Sequence, residues 1–235
     1  MKQKRSIAAV PIKVENENDK ATETKILDAA EKLFSEYGYD ATAIRMINLI
    51  ANVNSGAIHY YFRTKEDLFR RVVLRRSRIF AEDRLARLAA CREDADRQPL
   101  LDQIIEAYVM PYTNPALGSP EERLRFARLR ARLMLEQRNE NDSPLGEPHE
   151  AAGQRFVDAL ADSLPHLSHS EVQFRYLIMW SALNTLSAGL GRAAFGGQII
   201  GEGDHPMVEL QKMIPQLVQL FTAFFRAPST EPASK

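Results

Sequence analysis

The apolar residues of this chain recur at intervals of three and four positions in almost every patterned segment. Residues 24–38 show the pattern clearly, with one stripe of apolar side chains made by Ile26, Ala29, Ala30 and Leu33. Such spacing gives a helix one buried face. Thr22 or Thr24 can cap the start of this helix, and Gly38 can end it in a left-handed conformation.

The same periodicity predicts further helices along the chain. They cover approximately 64–90, 99–112, 120–138, 149–163, 170–188 and 205–226. Thr64 with Asp67 approximates a capping box, and Ser168 with Glu171 forms a full one. Residues 139–149 form a polar loop. Because no run of alternating apolar and polar residues extends beyond a few positions, we predict an all-α fold.

The charge of the chain is balanced overall but not evenly distributed. The 235 residues include 31 Lys or Arg and 31 Asp or Glu, so the chain is not a polycation. The first 75 residues hold 13 basic and 10 acidic side chains, a net charge of +3, and the remainder has a net charge of −3. This sign suits an N-terminal part that binds an anion, although chance scatter explains a difference of this size equally well.

The termini and the cysteine content bear on the compartment. The single cysteine, Cys91, excludes an intrachain disulfide, and no apolar run reaches the roughly 18 residues that a membrane span needs. We therefore expect a cytoplasmic protein that does not enter a membrane. Residues 1–20 are expected to form a disordered arm, whose basic side chains can touch a phosphate backbone. Residues 228–235 are expected to form a disordered tail.

Residues 42–62 have the pattern of two short helices joined by a tight turn. Asn52 tolerates a left-handed conformation and suits the turn, and the apolar Val53 can anchor the turn to the core. Ile58 and Phe62 lie four residues apart and can face the core together. The segment therefore reads as a helix-turn-helix, whose second helix enters the major groove in DNA-binding proteins.

Ten residues of this segment and of the helix that follows it are candidate DNA contacts, and of these Ser55, Ala57, His59 and Tyr60 are expected to face outward. The ten candidates are Thr42, Arg45, Asn54, Ser55, Gly56, Ala57, His59, Tyr60, Tyr61 and Lys65. Thr42, and either Asn54 or Ser55, also stand where helix caps are needed. The small residues let the second helix approach base edges, and the tyrosines and the lysine are long donors suited to phosphates. Arg45 suits a guanine or a phosphate that spans the groove.

Three stretches between residues 24 and 71 follow one another in a recognisable order: ILDAAEKLFSEYGYDAT, IRMI and VNSGAIHYYFRTKEDLF. They resemble the DNA-binding domain of the TetR family of bacterial regulators. The family often has alanine at Asn48, glycine at Asn52, serine at Asn54 and tyrosine at His59. Asn52 and Asn54 retain the turn and cap chemistry. His59 leaves one contact open, because it can meet a base, a phosphate or neither.

The resemblance implies an architecture of two domains. Residues 21–67 would form the helix-turn-helix DNA-binding domain, and residues 68–227 a larger helical domain for ligand binding and dimerisation. Helices near 170–188 and 205–226 would form the interface of a homodimer, although their apolar residues can equally be buried within one subunit. The implied function is a transcriptional regulator, expected to be a repressor that leaves a palindromic DNA operator when a small-molecule inducer binds.

The class of inducer rests on a looser resemblance. The stretches FARLRARLM, FRYLIMWSALNTLSAGLGRAAFG and MVELQKMIPQLVQLFTAFFRA resemble the fatty-acid-responsive branch of the family. This resemblance implies a lipophilic or aromatic inducer, such as a fatty acid, an acyl-CoA or an aromatic acid. Arg128, between apolar Ala127 and Leu129, can turn inward to hold a ligand carboxylate. The alternative is a solvated arginine that pairs with nearby glutamates.

Other motifs do not support a different chemistry. GLGRAA at residues 189–194 matches a dinucleotide fingerprint, but it follows a predicted helix where that site needs a strand. His149, His166 and His169 lack the spacing of metal ligands. No catalytic constellation is present, so we expect no enzymatic activity, no cofactor and no metal. The alternative function is a DNA-binding accessory or architectural dimer without a small-molecule ligand.

Overall fold

The computed structural model describes residues 17–54, 56–93, 100–135, 145–190 and 205–230, and every regular element in these ranges is helical. The helices are α1 (Glu17–Ala41), α2 (Ile44–Ala51), α3 (Ala57–Phe62), α4 (Lys65–Glu93), α5 (Leu101–Val109), α6 (Pro120–Leu135), α7 (Glu147–Ser163), α8 (His169–Ser187) and α9 (Pro206–Arg226). Two 3₁₀ turns, Met110–Tyr112 and Pro115–Leu117, lie between α5 and α6. The all-α prediction is confirmed. None of the described helices has the length and apolar character needed to cross a membrane.

Helix α1 begins before the threonines that were expected to cap it. Thr22 and Thr24 lie inside the helix, where each hydroxyl donates to the carbonyl four residues earlier at 2.9 Å. Residues 17–20, expected in the disordered arm, are therefore helical, whereas residues 1–16 lie outside the described ranges. Gly38 interrupts the helix with a φ of 83°, a conformation that glycine adopts without steric cost.

We call α1, α2, α3 and the start of α4 together the head, and the first core lies between these helices. Its buried side chains include Ile26, Ala30, Leu33, Phe34, Ile47, Ile58, Phe62, Leu68 and Val72. Leu129 and Leu133 of α6 belong to the same apolar cluster and are buried. The head is therefore packed against α6 and does not depend on α4 alone for its position.

We call the rest of α4 and helices α5 to α9 together the body, and the second core lies between these helices. Its buried side chains include Leu88, Ile104, Tyr108, Phe156, Leu160, Met179, Leu183, Leu210 and Phe225. Helix α4, which has 29 residues, contributes Val72 to the head core and Leu88 to the body core. The predicted domain boundary at residue 67 therefore falls in the first turn of a helix that both parts share.

A buried carboxylate joins α1 to α4. Glu31 is 1% exposed and accepts hydrogen bonds from Arg75 at 2.8 Å and from Arg76 at 3.0 Å. Arg76 also donates to Glu122 of α6 at 3.2 Å and to the carbonyl of Leu117 at 3.4 Å. These charge-assisted hydrogen bonds hold the head, α4 and α6 in one arrangement.

Two predicted helix caps are present. The hydroxyl of Thr64 accepts a hydrogen bond from the backbone N–H of Asp67 at 3.0 Å, at the start of α4. The hydroxyl of Ser168 accepts one from the N–H of Glu171 at 3.1 Å, at the start of α8. Each cap satisfies a backbone donor that the helix itself cannot pair.

The carboxylate of Glu171 binds the segment that follows α9. It accepts hydrogen bonds from the hydroxyl of Ser229, the N–H of Thr230 at 2.9 Å and the guanidinium of Arg175 at 2.7 Å. These bonds, those from Ser229 and Thr230 foremost, lower the pKa of Glu171 from its usual 4.5 to about 2. The first part of the expected disordered tail is thus held against α8, and residues 231–235 lie outside the described ranges.

Replacing Glu31 by glutamine will lower the free energy of unfolding by about 3 kcal/mol, because the amide leaves a buried arginine with a weaker partner. Glu36 is exposed on the same helix, so Glu36→Gln is the matched control and should change stability by about 0.5 kcal/mol or less. Urea unfolding followed by circular dichroism measures both. Equal effects of the two substitutions would show that Glu31 does not hold α1 against α4.

The contribution of Glu171 to stability will depend on pH. Since its pKa is about 2 when folded and 4.5 is usual for an unfolded chain, the contribution is fully present above pH 4.5 and is lost as the pH falls toward 2. The unaltered protein should therefore exceed Glu171→Gln in free energy of unfolding at neutral pH, and the gap should narrow below pH 4.5. Unfolding curves at several pH values, with Glu150→Gln as an exposed control, test this. A gap independent of pH would contradict it.

Candidate functional site

The turn between α2 and α3 contains the left-handed residue that the sequence predicted. Asn52 has a φ of 52° and a ψ of 51°, and its backbone N–H donates to the carbonyl of Leu49 at 3.3 Å. Val53 packs against the head core, and its N–H donates to the carbonyl of Asn48 at 3.1 Å. The roles predicted for Asn52 and Val53 are confirmed. Asparagine suits the turn because it tolerates the left-handed conformation better than most residues.

Helix α3 rests on the head core through two side chains four residues apart. Ile58 and Phe62 are 0% and 3% exposed, as their spacing predicted. On the other side of the helix His59 is exposed and Tyr60 is 57% exposed. The buried side fixes α3, so the exposed side is presented in a defined orientation.

An open groove of about 520 Å³ lies beside the turn and α3. It is lined by Thr22, Asn52, Val53, Asn54, Gly56, Ala57, Tyr60 and Tyr61. Five of the predicted DNA contacts, namely Asn54, Gly56, Ala57, Tyr60 and Tyr61, therefore meet in one groove. Arg45 is exposed on α2, outside the lining of this groove.

Thr42 neither caps α2 nor reaches the surface. Its side chain is buried, and its hydroxyl donates to the carbonyl of Gly38 at 2.7 Å and to that of Leu33 at 3.2 Å. Ala43 occupies the N-cap position of α2. The break at Gly38 leaves carbonyls without helical partners, and Thr42 supplies the donor they need. The expectations of a cap and a DNA contact at Thr42 are therefore replaced by a structural role at the end of α1.

The start of α3 tests one of the two caps that the sequence predicted. Gly56 is the N-cap residue, and no side chain of the described residues caps the helix. Asn54 supports the helix start through its main chain, because its carbonyl accepts the N–H of Ala57 at 3.1 Å. Its exposed side chain is not the cap that was expected. Ser55 lies outside the described residues.

One ring nitrogen of His59 is engaged by the chain itself. Nδ1 lies 3.0 Å from the carbonyl oxygen of Arg63, a residue with a φ of 54°. Because a carbonyl only accepts, this hydrogen bond assigns the proton to Nδ1. In a neutral ring Nε2 is then an acceptor, which suits the amino group of a base and not a phosphate oxygen. A phosphate contact at His59 would require the doubly protonated ring.

Two of the expected phosphate donors are turned toward α1. The hydroxyl of Tyr61 donates to Asp19 at 2.9 Å, and burial together with this acidic partner raises the pKa of Tyr61. The ammonium of Lys65 lies 4.3 Å from the ring centre of Tyr39 and 3.5 Å from the carbonyl oxygen of Asp40. These partners are distant in sequence, so local patterning did not reveal them.

The arginine of α6 that enters the body is not the one the sequence singled out. Arg128 is exposed in a surface groove beside Ser35 and Glu36, so the expected inward turn is not observed. Arg130 is 2% exposed. The reason is helical phase: Arg130 lies four residues from buried Phe126, whereas Arg128 lies two residues from it on another face. That spacing was the available signal.

The described residues contain no group of three or more metal-ligating side chains. His166 and His169 are exposed. His149 is different, because it is partly buried and its ring centre lies 5.9 Å from that of Trp180.

Two family models match the chain. Residues 26–72 match the model for bacterial regulatory proteins of the tetR family. Residues 106–223 match the model for a tetracyclin repressor-like C-terminal domain. The first match contains α2, the turn and α3, and the second covers much of the body.

Curated relatives match short parts of the chain. An uncharacterised HTH-type transcriptional regulator from Bacillus subtilis is 46% identical over 44 residues, which is 19% of this chain and 23% of that protein. An HTH-type transcriptional repressor from Mycobacterium tuberculosis is 39% identical over 57 residues, which is 24% of this chain and 30% of that protein. The matched segments thus span less than half the length of these relatives.

Solved structures match nearly the whole fold. A TetR-like transcriptional regulator from Rhodococcus sp. RHA1 has a TM-score of 0.56 and 18% identity over 86% of this chain and 96% of that one. The fatty acid degradation regulator FadR from Bacillus halodurans has a TM-score of 0.53 and 16% identity, covering 85% and 97%. At this identity the likeness concerns the fold alone, and it agrees with both family models. The chain belongs to the TetR family of bacterial regulatory proteins.

Proposed function

We propose that this protein is a DNA-binding transcriptional regulator, acting as a repressor that a small lipophilic or aromatic molecule releases from its operator. The observation that carries the proposal is the helix-turn-helix in the head. Its turn residue Asn52 is left-handed, Ile58 and Phe62 fix α3 from below, and the outer side of α3 is exposed. A helix held in this way is the element that enters the major groove in such motifs.

In and around this groove, different residues serve different parts of the DNA. Gly56 and Ala57 have little or no side chain, so α3 approaches base edges closely. His59 offers an acceptor to a base amino group, and Tyr60 carries a hydroxyl suited to the backbone. Arg45 supplies the positive charge and reads a guanine or grips a phosphate. In the conformation described, Tyr61 and Lys65 position α3 and α4 relative to α1.

The protein acts as a homodimer through α8 and α9. Exposed apolar side chains on α8 follow helical spacing, with Phe174 59%, Leu177 50% and Ile178 39% exposed. Leu220 on α9 is 62% exposed. A stripe of this kind is costly in water and is covered when two copies pair α8 and α9 into a four-helix interface. The pairing sets the distance between two heads, and hence the spacing of two half-sites.

Ligand control requires that the inducer bind one arrangement of the heads more tightly than the arrangement that fits DNA. Helices α4 and α6 are suited to transmit the difference, because each contributes side chains to the head core and to the body. The fatty acid degradation regulator from Bacillus halodurans shares this fold, which supports a lipophilic inducer here.

A direct test combines DNA binding with ligand addition. The purified protein is titrated onto DNA from upstream of its own gene in a gel-shift assay, with and without fatty acids, acyl-CoAs and aromatic acids. Specific binding that one of these compounds releases supports the proposal. Specific binding that none of them changes favours the accessory DNA-binding dimer, and absence of specific binding refutes both.

Changing Arg45 to alanine should weaken operator binding by about 1–3 kcal/mol if it reads a base, or reduce the slope of log affinity against log salt by about one if it holds a phosphate. Fluorescence anisotropy at several salt concentrations measures both quantities. Arg155→Ala removes an exposed arginine from α7 and is the matched control. Equal affinities and slopes for the two variants would remove Arg45 from the interface.

Changing Leu177 to glutamate should convert the dimer to a monomer, because a charge in the centre of an apolar interface is left without a partner. Analytical ultracentrifugation over a range of concentrations gives the dissociation constant. Leu49→Glu makes the same change at a leucine that is 81% exposed on α2, and it should leave the mass unchanged. A dimer that persists with Leu177→Glu would place the interface elsewhere.

A further inference from the structure

Two arginines of the body are almost fully removed from solvent, and within the described residues neither has a carboxylate partner. Arg84 of α4 is 1% exposed, and Arg130 of α6 is 2% exposed. Within the described ranges neither forms an ion pair. Two other buried arginines, Arg76 and Arg175, each pair with a buried glutamate. A fifth buried arginine, Arg123, has no ion pair in the described ranges either, but it is 6% exposed and donates to the backbone carbonyls of Asn114 and Gly118. Arg84 and Arg130 are less exposed than Arg123, and they lie together without an acid.

Hydrogen bonds within the described chain satisfy these two arginines only in part. Arg84 Nε donates to the carbonyl of Tyr108 at 3.4 Å, and Arg130 Nη2 donates to the hydroxyl of Ser187 at 3.1 Å. Arg84 Nη2 and Arg130 Nε are buried and have no hydrogen-bond partner among the described residues. The hydroxyl of Tyr112 lies near the guanidinium of Arg84, and by distance and angle it forms no hydrogen bond with the described residues.

The unpaired groups lie close together. The ring centre of Tyr112 is 5.1 Å from the guanidinium carbon of Arg84 and 4.6 Å from that of Arg130, so one ring contacts both charges. Asn184 of α8 lies one turn before Ser187, which accepts the hydrogen bond of Arg130. It is 1% exposed, and its side-chain oxygen and nitrogen have no partner among the described residues. Buried polar atoms of this kind are normally hydrogen-bonded, so several in one place indicate a ligand.

His149 does not compensate the two charges. Burial, and then the positive charges of Arg84 and Arg130, lower the pKa of His149 to about 3, so the ring is neutral at neutral pH. Burial and the nearby Arg84 also lower the pKa of Arg130. Burial also lowers the pKa of Arg84, but the neighbouring Tyr108 and Tyr112 raise it by more, so its net shift is upward. The two like charges nevertheless repel each other in a poorly solvated site. An anion between them would remove this repulsion.

The surrounding side chains indicate the body of the ligand. Phe80 and Phe126 lie 5.8 and 5.3 Å from the guanidinium carbon of Arg130, and their rings are 5.1 Å apart. The ring of Tyr108 lies 4.0 Å from the guanidinium carbon of Arg84. Aromatic walls with a few convergent polar groups are typical of sites for small organic molecules. A guanidinium with two free donors suits the two oxygens of a carboxylate.

We propose that Arg84 and Arg130, together with Tyr112 and Asn184, bind the carboxylate of a small organic acid whose apolar or aromatic part packs on Phe80 and Phe126. The proposal rests on the proposed regulatory function, and it assigns the inducer a charge and a binding site. It also replaces Arg128 as the residue that holds the inducer.

The position of the two arginines links this site to the head. Arg84 lies on α4, which is bound to α1 through Arg76 and Glu31. Arg130 lies on α6, where the adjacent Leu129 packs in the head core. Arg132, on the same helix, donates to the carbonyl of Glu36 at 2.9 Å. An anion that draws the two guanidiniums together changes the spacing of α4 and α6, and so shifts α1.

The first experiment compares acids with their neutral amides on the unaltered protein. Thermal unfolding is measured with benzoate, phenylacetate and octanoate, each against its amide, at about 10 mM and constant ionic strength. At least one acid should raise the melting temperature by about 3 °C or more, and its amide should not. Inorganic phosphate is included as an anion without an apolar part, and it should have no such effect.

The second experiment uses methionine variants of neighbouring arginines. Arg130→Met and Arg84→Met should each reduce the affinity for the acid at least about ten-fold by isothermal titration calorimetry, because charge-assisted hydrogen bonds are lost. Arg128→Met, two residues away on α6, is the matched control and should retain the affinity. Ligand-free Arg130→Met should melt no lower than the unaltered protein, because the substitution removes an unpaired buried charge.

Several outcomes would overturn the proposal: no acid stabilises the protein, amides or phosphate act as well as acids, or Arg130→Met keeps the preference for acids. A markedly lower melting temperature of ligand-free Arg130→Met would likewise assign the arginine a structural role.

Gel shifts separate this proposal from the regulatory one. If acids bind through Arg130 without changing the affinity for DNA, the inducer function is refuted and the binding site itself stands. If instead a neutral compound releases the DNA, and Arg130→Met does not change that release, the proposed carboxylate site is refuted and the regulatory function stands.

Discussion

The arrangement of this protein depends on one helix that belongs to two cores. Helix α4 has 29 residues, places Val72 in the head and Leu88 in the body, and carries Arg76 into a buried ion pair with Glu31 of α1. A helix is stiff over this length, because each residue is hydrogen-bonded to the next turn. Any displacement of α4 within the body therefore reaches the head directly.

Helix α6 provides a second connection, and it makes the arrangement more constrained than a hinge. Leu129 and Leu133 pack in the head core, and buried Arg130 reaches into the body. Two stiff helices that contact both parts leave few ways to move one part without the other. The proposed ligand control of DNA binding needs such restricted motion, because coupling requires two discrete arrangements with different contacts.

The recognition surface and the body show different physical requirements. The surface around α3 keeps its polar groups exposed or paired at the edge of the head, as with His59 and Arg63. The body instead buries the guanidiniums of Arg84 and Arg130 with several polar atoms unpaired. Burying such groups opposes folding, and a protein that retains them gains affinity and selectivity for a partner that satisfies them.

The amino-acid sequence by itself determined the helices, the turn at Asn52 and the buried pair Ile58 and Phe62, because periodicity and backbone preference act over a few residues. Family resemblance added the function of the head. Only the tertiary structure decided that Thr42 is buried and that Tyr61 meets Asp19, 42 residues away. The same is true of the arginines of the body. Helical phase could indicate that Arg130 is buried, but its meeting with Arg84 on the ring of Tyr112 depends on how α4, α6 and the turn after α5 pack together.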